Sequence, residues 1–282
     1  MHLASLLRSC LLPRAGTSAL RVLDLCTGSG CIALLLYALL RPVFADLSVV
    51  GLDISTRAVR LARENAAHNH LHLPLSAAPA TTGTAPAPAG QQTVRFLRGD
   101  MFADSWLGHL TAAAVDGPAV DVLTCNPPYV SEEGFARDTA RSVRNYEPRR
   151  AQVPEGGRRG ATATGGGGGA TTAPEDVFYA RLLDVAQRLG PRVVLCEVGG
   201  LEQARRVVAM ALRHPFCLRG GGAGVRVEIW ADAPDGRREP GEAAAVVVGG
   251  DEGGREIPVM GSGHGRSVFI YRGEEDGPNV RV

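Results

Sequence analysis

The sequence of 282 residues contains no lysine, so its 30 basic side chains are all arginine, and no functional conclusion follows from that choice. Acidic and basic groups nearly balance, with a formal net charge of +1. This balance provides no overall field that would draw the chain onto nucleic acid or an anionic membrane. No apolar run approaches the ~20 residues of a membrane helix, and we therefore expect no membrane association.

Cysteine is also sparse. The six cysteines include no Cys-x-x-Cys pair, and most lie in apolar runs. This pattern argues against a disulfide framework or a zinc site and favours buried thiols in a reducing compartment. Three histidines cluster at 68, 70 and 72. A solvated loop is the favoured interpretation of that cluster over a metal site, and no metal is predicted.

Apolar residues make up 45% of the chain, as in an ordinary globular core. Some segments, however, consist mainly of Gly, Pro, Ala, Thr or charged residues, which bury too little apolar surface to offset their ordering entropy. We predict that these segments are insertions outside the core: 74–93, 154–174 and 233–266.

The rest divides into an N-terminal stretch (1–20), one α/β domain (21–272) and a tail (273–282). Residues 3–11 place Leu3, Leu7 and their apolar neighbours at helical spacing. No acidic residue precedes Asp24, so this stretch fits either a packing helix or part of an organelle-targeting sequence. The packing helix is favoured because Pro13 cuts the segment short.

A glycine-rich turn follows the first predicted strand. Val22, Leu23 and Leu25 form an apolar run, Gly28 and Gly30 follow it, and residues 32–40 are predicted to be helical. Strand, glycine turn and helix N-terminus together can hold a polar ligand close to the backbone. The glycine spacing alone is a weak signal.

Two more predicted strands end in acidic residues. The strand 47–52 ends at Asp53, which we predict to accept hydrogen bonds from ribose hydroxyls; alternatively, Asp53 or Ser55 caps the next helix. Residues 94–102 are predicted to form the third strand and a turn at its end, where Asp100 and Met101 are placed to meet a flat heterocycle. Met101 could instead simply close the core.

The stretch after the fourth strand carries the predicted chemistry. The apolar run 120–125 stops at Asn126, Pro127, Pro128 and Tyr129, because prolines lack an N–H and fix φ. The Asn126 amide and bare proline carbonyls could accept hydrogen bonds from a planar NH2 group, with an aromatic ring along its face. The alternative is an ordinary Asn-Pro turn.

Further alternation of helices (176–189, 201–213) and a strand (193–197) predicts a parallel sheet. Strands 225–230 and 267–271 have no long helix between them and are predicted to pair antiparallel at an edge. The fold class is therefore α/β: a mostly parallel seven-stranded sheet with an antiparallel edge hairpin and helices on both faces, which is Rossmann-like.

Together, the glycine turn, the acidic strand ends and Asn126-Pro-Pro-Tyr129 resemble class I S-adenosylmethionine-dependent methyltransferases. The further motifs Tyr146-Glu-Pro-Arg149 and Asp176-Val-Phe-Tyr-Ala-Arg-Leu-Leu183 resemble the HemK/PrmC family of release factor glutamine N5-methyltransferases, in its mitochondrial type. The resemblance covers about residues 20–231 and 267–272. The combination of the Asn-Pro-Pro-Tyr turn with Tyr-Glu-Pro-Arg is fairly specific.

The resemblance implies methyl transfer from S-adenosylmethionine to a glutamine amide of a peptide chain release factor, which places the chain near the ribosome. It implies a mitochondrial location, or a cytoplasmic one otherwise, and a monomer is expected. The implied amide-binding and catalytic residues are Asn126, Pro127, Pro128 and Tyr129. The implied cofactor-binding residues are Cys26, Thr27, Gly28, Ser29, Gly30, Asp53, Asp100, Met101 and Asn126.

The chain departs from the family pattern at two points. Cys26 stands where the family usually has glycine. The resemblance also begins only at about residue 20, without the N-terminal helical domain that in this family helps to dock the release factor, so we expect either that the sequence is a fragment or that the protein meets its substrate differently. If these changes disable the site, a non-catalytic scaffold is the alternative. No His or Lys base lies by the turn, and positioning an amide nitrogen for in-line transfer needs none.

Two other functions remain open at the level of sequence. A DNA or rRNA methyltransferase would hold an exocyclic base amine in the same way, but such enzymes usually carry a basic surface. The local candidates for that surface are Arg137, Arg141, Arg144, Arg149, Arg150, Arg158 and Arg159. An NAD-binding oxidoreductase would use the glycine turn and Asp53 equally well, yet it leaves the Asn-Pro-Pro-Tyr turn unexplained.

Overall fold

A computed structural model describes Leu3, Leu7 and residues 19–71, 91–111, 119–155, 172–218, 224–249 and 254–273. The chain divides into two compact units. Unit 1 comprises Met1–Cys125, Leu189–Val193 and Asp276–Val282, and unit 2 comprises Asn126–Arg188 and Val194–Glu275.

The core of unit 1 is a parallel sheet with the strand order β3-β2-β1-β4. Its strands are β1 (Ala19–Leu25), β2 (Asp46–Asp53), β3 (Gln92–Arg98) and β4 (Val122–Cys125). Leu25 is the register partner of both Leu52 and Cys125, so the carboxyl ends of β1, β2 and β4 lie level. All four residues of β4 are buried, as expected of a near-continuous apolar strand in a parallel sheet.

Helices α1 (Cys31–Leu40) and α2 (Thr56–His68) follow β1 and β2. Helix α2 buries Val59, Ala62 and Ala66, which recur at helical spacing. Its N-cap is Ser55, whose side chain accepts from the backbone N–H of Ala58 at 3.3 Å. Of the two capping residues considered from sequence, Ser55 is therefore the one that caps. A short helix α3 (Gly108–Thr111) comes after β3.

Unit 2 has the strand order β5-β9-β6-β8-β7. Its strands are β5 (Val193–Glu197), β6 (Val225–Ala233), β7 (Ala245–Val248), β8 (Arg255–Met260) and β9 (Ser262–Arg272). Its helices are α4 (Glu132–Arg137), α5 (Arg141–Tyr146), α6 (Val177–Leu189), α7 (Leu201–Arg213) and α8 (Pro215–Leu218), with 3₁₀ turns at Arg149–Ala151 and Pro174–Asp176. The first residue of β5 and the last of α6 fall in unit 1.

The α/β class and the antiparallel pairing of β6 with β9 are confirmed. The expectation that 233–266 lies outside the sheet is wrong for β7 and β8, which bring the described strands to nine rather than seven. Burial alternates along both strands, with Val246, Val248, Ile257 and Val259 buried. Because β8 pairs with β6 in parallel and β7 pairs with β8, the β6/β9 pair is not an edge hairpin.

Other predictions fall largely outside the described residues: the bulk of insertions 74–93 and 154–174, the tail after residue 273, and His72. At the N-terminus only Leu3 and Leu7 are described; both are helical and buried. Among the described residues, no helix has the length and apolarity needed to span a bilayer.

Candidate functional site

The turn after β1 has an unusual backbone. Gly28 and Gly30 have φ values of +56° and +82°, in the left-handed region that glycine adopts without a steric penalty. Cys26 has a φ of +57° as well, although a side chain with a Cβ is disfavoured there. The usual glycine of the family at this position thus has a conformational reason, and this chain keeps the same turn with a cysteine.

Gly30 also allows close packing, because a Cβ at that position would lie only 2.9 Å from the ring of Phe96. At Gly28 the opposite holds: a Cβ would meet no atom within 4 Å. The space beside Gly28 is therefore open to a ligand. Asn65 of α2 supports the turn by donating from Nδ2 to the Ser29 carbonyl at 2.9 Å.

Asp53, the last residue of β2, is hydrogen-bonded to the turn that follows β1. Its Oδ2 accepts from the backbone N–H of Gly28 at 2.9 Å, and its Oδ1 accepts from that of Ser55 at 2.8 Å. The Thr27 N–H donates to the Leu52 carbonyl at 3.0 Å. Each carboxylate oxygen has two lone pairs, so Asp53 can accept further hydrogen bonds from a ligand while it holds the turn.

Asp24 lies directly beneath this turn and was missed from the sequence. It is fully buried, and its carboxylate accepts from the hydroxyls of Thr27 at 2.6 Å and Thr124 at 2.7 Å. Burial raises the pKa of Asp24 from 3.8 to about 6, while the hydrogen bonds from Thr27, Thr124 and the Ala33 backbone counteract part of that rise. A carboxylate within the apolar run 22–25 was the available sequence signal, since buried charges need partners.

Asp100 and Met101 follow β3, and they differ in exposure. Met101 is buried, and the Cys26 thiol donates to its sulfur at 3.6 Å. This burial favours the interpretation in which Met101 closes the core. Asp100 is half-buried; its side chain accepts from the Phe102 N–H at 3.0 Å, and its carbonyl accepts from the Trp106 indole at 3.0 Å.

The Asn-Pro-Pro-Tyr turn opens unit 2 immediately after Cys125, the last residue of β4. Pro127 and Pro128 are buried, whereas Asn126 and Tyr129 are half-buried. The Tyr129 hydroxyl donates to Oε1 of Glu197 at 2.9 Å. Burial and the neighbouring Glu197 carboxylate raise the pKa of Tyr129 to about 12, so this phenol stays protonated at neutral pH and is not a base.

Gln203 of α7 contacts Tyr129, and Asp176 of the 3₁₀ turn before α6 contacts Gln203. The Gln203 amide donates to the Tyr129 carbonyl at 3.2 Å and to Asp176 Oδ1 at 2.9 Å. Neither contact could be read from the sequence, where these residues are separated by up to 74 positions.

The structure therefore brings the predicted residues together in two groups. Unit 1 holds the turn 26–30, Asp53, Asp100 and Met101, and unit 2 holds the turn 126–129.

The arginine-rich stretch of unit 2 is electrically balanced in the part that the structure describes, and Arg158 and Arg159 lie outside that part. Its described part, 131–155, contains five arginines and five acidic residues. Arg137 pairs with Glu133 and Arg150 with Glu155, and both pairs are exposed. The described part therefore does not form the basic surface that nucleic-acid binding would need.

Metal ligation finds no support among the described residues, where no group of three or more His, Cys, Asp or Glu side chains could hold an ion. The described cysteines are all free thiols. Cys125 and Cys196 are buried as expected, but Cys31 is exposed, so the prediction of buried thiols does not hold there.

Comparisons with known proteins agree with the motifs. Residues 16–76 match a model described as a methyltransferase domain. The mitochondrial MRF1 N(5)-glutamine methyltransferase MTQ1 of Saccharomyces cerevisiae is 30% identical over 139 residues, which are 49% of this chain and 35% of that protein. A release factor glutamine methyltransferase of Thermodesulfovibrio yellowstonii is 30% identical over 198 residues, 70% of this chain and 52% of that protein.

A ribosomal protein uL3 glutamine methyltransferase of Bradyrhizobium diazoefficiens is 32% identical over 120 residues, covering 43% of this chain and 27% of that protein. The chain thus spans about half, or less, of the length of these relatives. The names shared by these relatives and the matched domain agree with the resemblance found from the motifs: over the residues that match, the chain is similar to glutamine methyltransferases of the HemK/PrmC type.

Proposed function

We propose that this protein transfers a methyl group from S-adenosylmethionine to the side-chain amide nitrogen of a glutamine in a peptide chain release factor. The observation that carries the proposal is the state of Asn126. It is half-buried at the start of a turn stiffened by two buried prolines, and no hydrogen bond found among the described residues uses its side chain. A substrate amide is the partner that such a side chain can take.

The residues of unit 1 fit the cofactor. The open space beside Gly28 admits a ligand against the backbone, and the remaining lone pairs of Asp53 suit the hydroxyls of a ribose. Asp100, half-buried after β3, is proposed to flank the adenine. When bound, S-adenosylmethionine supplies an electrophilic methyl group on a sulfonium.

Asn126 is proposed to orient the glutamine amide. A carboxamide nitrogen is a weak nucleophile, because its lone pair is delocalised into the carbonyl. Hydrogen bonds from its NH2 group to Asn126 Oδ1 and the Pro127 carbonyl would aim the nitrogen, and they would strengthen as it gains positive charge. Tyr129 contributes its ring and not a proton acceptor, since its hydroxyl is a donor to Glu197.

The rival reaction on a nucleic-acid base is less well supported. It needs a surface that attracts phosphates, whereas arginines of the stretch 131–155 are matched by an equal number of acidic groups. A mitochondrial location is proposed because the Saccharomyces cerevisiae relative is named as mitochondrial. A monomeric state and proximity to the ribosome stay predictions.

The test is methylation with a deuterated methyl donor, read by tandem mass spectrometry. Candidate substrates are a mitochondrial release factor, ribosomal protein uL3, and DNA and RNA oligonucleotides. We expect label on one glutamine of the release factor and none after that glutamine is replaced by alanine. Label only on uL3 would keep glutamine chemistry and overturn the release factor as substrate, and label only on a base would overturn the proposal.

A further inference from the structure

Gln203 is a buried amide whose hydrogen-bond directions are fully determined. It lies in α7 with an exposed fraction of 7%. Its Oε1 accepts from the Gly199 N–H at 2.7 Å, while its Nε2 donates to the Tyr129 carbonyl at 3.2 Å and to Asp176 Oδ1 at 2.9 Å. The reverse orientation would set an oxygen against two acceptors, so only one orientation satisfies all three partners.

Asp176 holds Gln203 in that orientation. It is only 2% exposed, and Arg206 donates to it from Nε at 2.5 Å and from Nη2 at 3.1 Å. The hydrogen bond to Asp176 raises the pKa of Arg206, so Arg206 remains a cation. A buried carboxylate is costly unless it is paired, and this arrangement pairs it on both oxygens.

The peptide group between Tyr129 and Val130 is fixed at both of its polar atoms. Gln203 binds the Tyr129 carbonyl, and the Val130 N–H donates to the Gln152 carbonyl at 2.8 Å. The side chain of Tyr129 is held by Glu197 through its hydroxyl. A Cβ on Gly199 would lie 3.3 Å from the Tyr129 ring, so the ring packs closely on that backbone.

The torsions of the Asn-Pro-Pro-Tyr turn are therefore restricted both by its own prolines and by hydrogen bonds to residues outside the turn. Its prolines fix φ at two positions, and the Tyr129–Val130 peptide cannot rotate without breaking two hydrogen bonds. The hydrogen bond that holds the Tyr129 carbonyl comes from Gln203, which Asp176 and Arg206 hold in turn.

We infer that Gln203, held by Asp176 and Arg206, is a positioning residue that sets the angle of the Asn-Pro-Pro-Tyr turn for methyl transfer. The inference rests on the proposed function, since the turn is taken to hold the substrate amide. In this proposal Gln203 acts through the turn, since all three of its hydrogen-bond partners are protein groups. Loss of its hydrogen bonds should misalign the amide nitrogen, and a small misplacement of reacting groups can cost about 100-fold in rate.

The test compares three variants of the full chain. Gln203→Met keeps the size of the side chain and removes its hydrogen bonds. Arg206→Met removes the cation behind Asp176. Arg205→Met is the matched control, because Arg205 is the neighbouring arginine on α7 and its side chain is exposed to nearly the same extent, 43% against 45% for Arg206.

Two readouts are needed. The first is kcat and KM for methylation of the glutamine substrate, with the dissociation constant for S-adenosylmethionine measured alongside. We expect Gln203→Met to lower kcat about 10- to 100-fold, Arg206→Met to lower it less, and Arg205→Met to leave it unchanged. Cofactor affinity should change less than about twofold in all three, because the cofactor-binding residues of unit 1 are untouched.

The second readout is hydrogen–deuterium exchange of the backbone amide of Val130, which belongs to the peptide group that Gln203 holds and needs no substrate. We expect faster exchange in Gln203→Met and unchanged exchange in Arg205→Met. A purely stabilising role would instead lower Tm while kcat of the folded protein and exchange at this amide stayed at wild-type values, and that result overturns the inference. If the wild type methylates no glutamine, the proposed function fails, and the exchange comparison alone then decides whether Gln203 holds the turn.

Discussion

Gly28 donates its backbone hydrogen to the carboxylate of Asp53 at 2.9 Å, which joins the turn after β1 to the residue that ends β2. The same carboxylate orders the first turn of α2 through Ser55. Asp53 is therefore part of the scaffold of the glycine turn as well as a candidate ligand of the ribose.

This double role leads to the first prediction. Asp53→Ala should weaken S-adenosylmethionine binding by about tenfold or more, which corresponds to about 1.4 kcal/mol. It should also lower stability, because it leaves the Gly28 and Ser55 amides without their acceptor. Isothermal titration calorimetry on the folded variant measures the affinity.

Asp46→Ala is the control, since Asp46 begins the same strand at its other end. It should leave affinity at the wild-type value. Equal affinities for the wild type and Asp53→Ala would remove Asp53 from the cofactor site.

The second prediction concerns the backbone of Cys26. Cys26→Gly and Cys26→Ala both remove the thiol that contacts Met101, but only glycine relieves the positive φ of 57°. We expect the glycine variant to be more stable than the alanine variant by up to about 1 kcal/mol, after allowance for the greater freedom of glycine in the unfolded chain. Urea denaturation of both variants measures the difference, and an alanine variant of equal or greater stability would contradict the strain.

The third prediction is a pH dependence that arises from Asp24. Its pKa is raised from 3.8 to about 6 in the folded protein, so folding favours the protonated form. The stability linked to this group is fully present below pH 3.8 and is lost as pH rises through about 6. Asp24→Asn should remove that loss.

Free energies of unfolding at several pH values between 4 and 8 test this expectation. The free energy of unfolding of Asp24→Asn, relative to that of the wild type, should increase as pH rises. The half-buried Asp121, whose pKa is also raised, chiefly by desolvation, is present in both proteins and cancels in the difference. A difference that stays constant across this range would show that Asp24 is ionised equally easily in both states.

Much of the fold could be predicted because each strand of unit 1 is a short run rich in apolar residues, with glycine, aspartate or proline at its end or within three residues after it. β7 and β8 were missed, since their short apolar runs are embedded in glycine and charged residues that suggest an insertion. The composition averaged over the 34 residues of 233–266 hides two strands of only four and six residues.

The candidate site was predictable only where chemistry is local. Gly28 and Asp53 stand out by residue type and position at strand ends. The strain at Cys26 depends on a torsion angle, and the link from Gln203 to Tyr129 joins residues that are far apart in sequence. Neither leaves a pattern that a single sequence can show.

The central claim is that Asn126 aims a glutamine amide, and single-turnover methylation of a release-factor substrate tests it most directly. Asn126→Ala should lower the rate of methyl transfer about 100- to 1,000-fold, about 3–4 kcal/mol, as expected for loss of a preorganised partner. Asn126→Asp keeps an acceptor and should retain more activity than Asn126→Ala. The control Asn145→Ala alters an exposed asparagine of α5 and should be neutral. S-adenosylmethionine affinity should change little in all three, and near wild-type turnover by Asn126→Ala would reduce Asn126 to a turn residue and contradict the account.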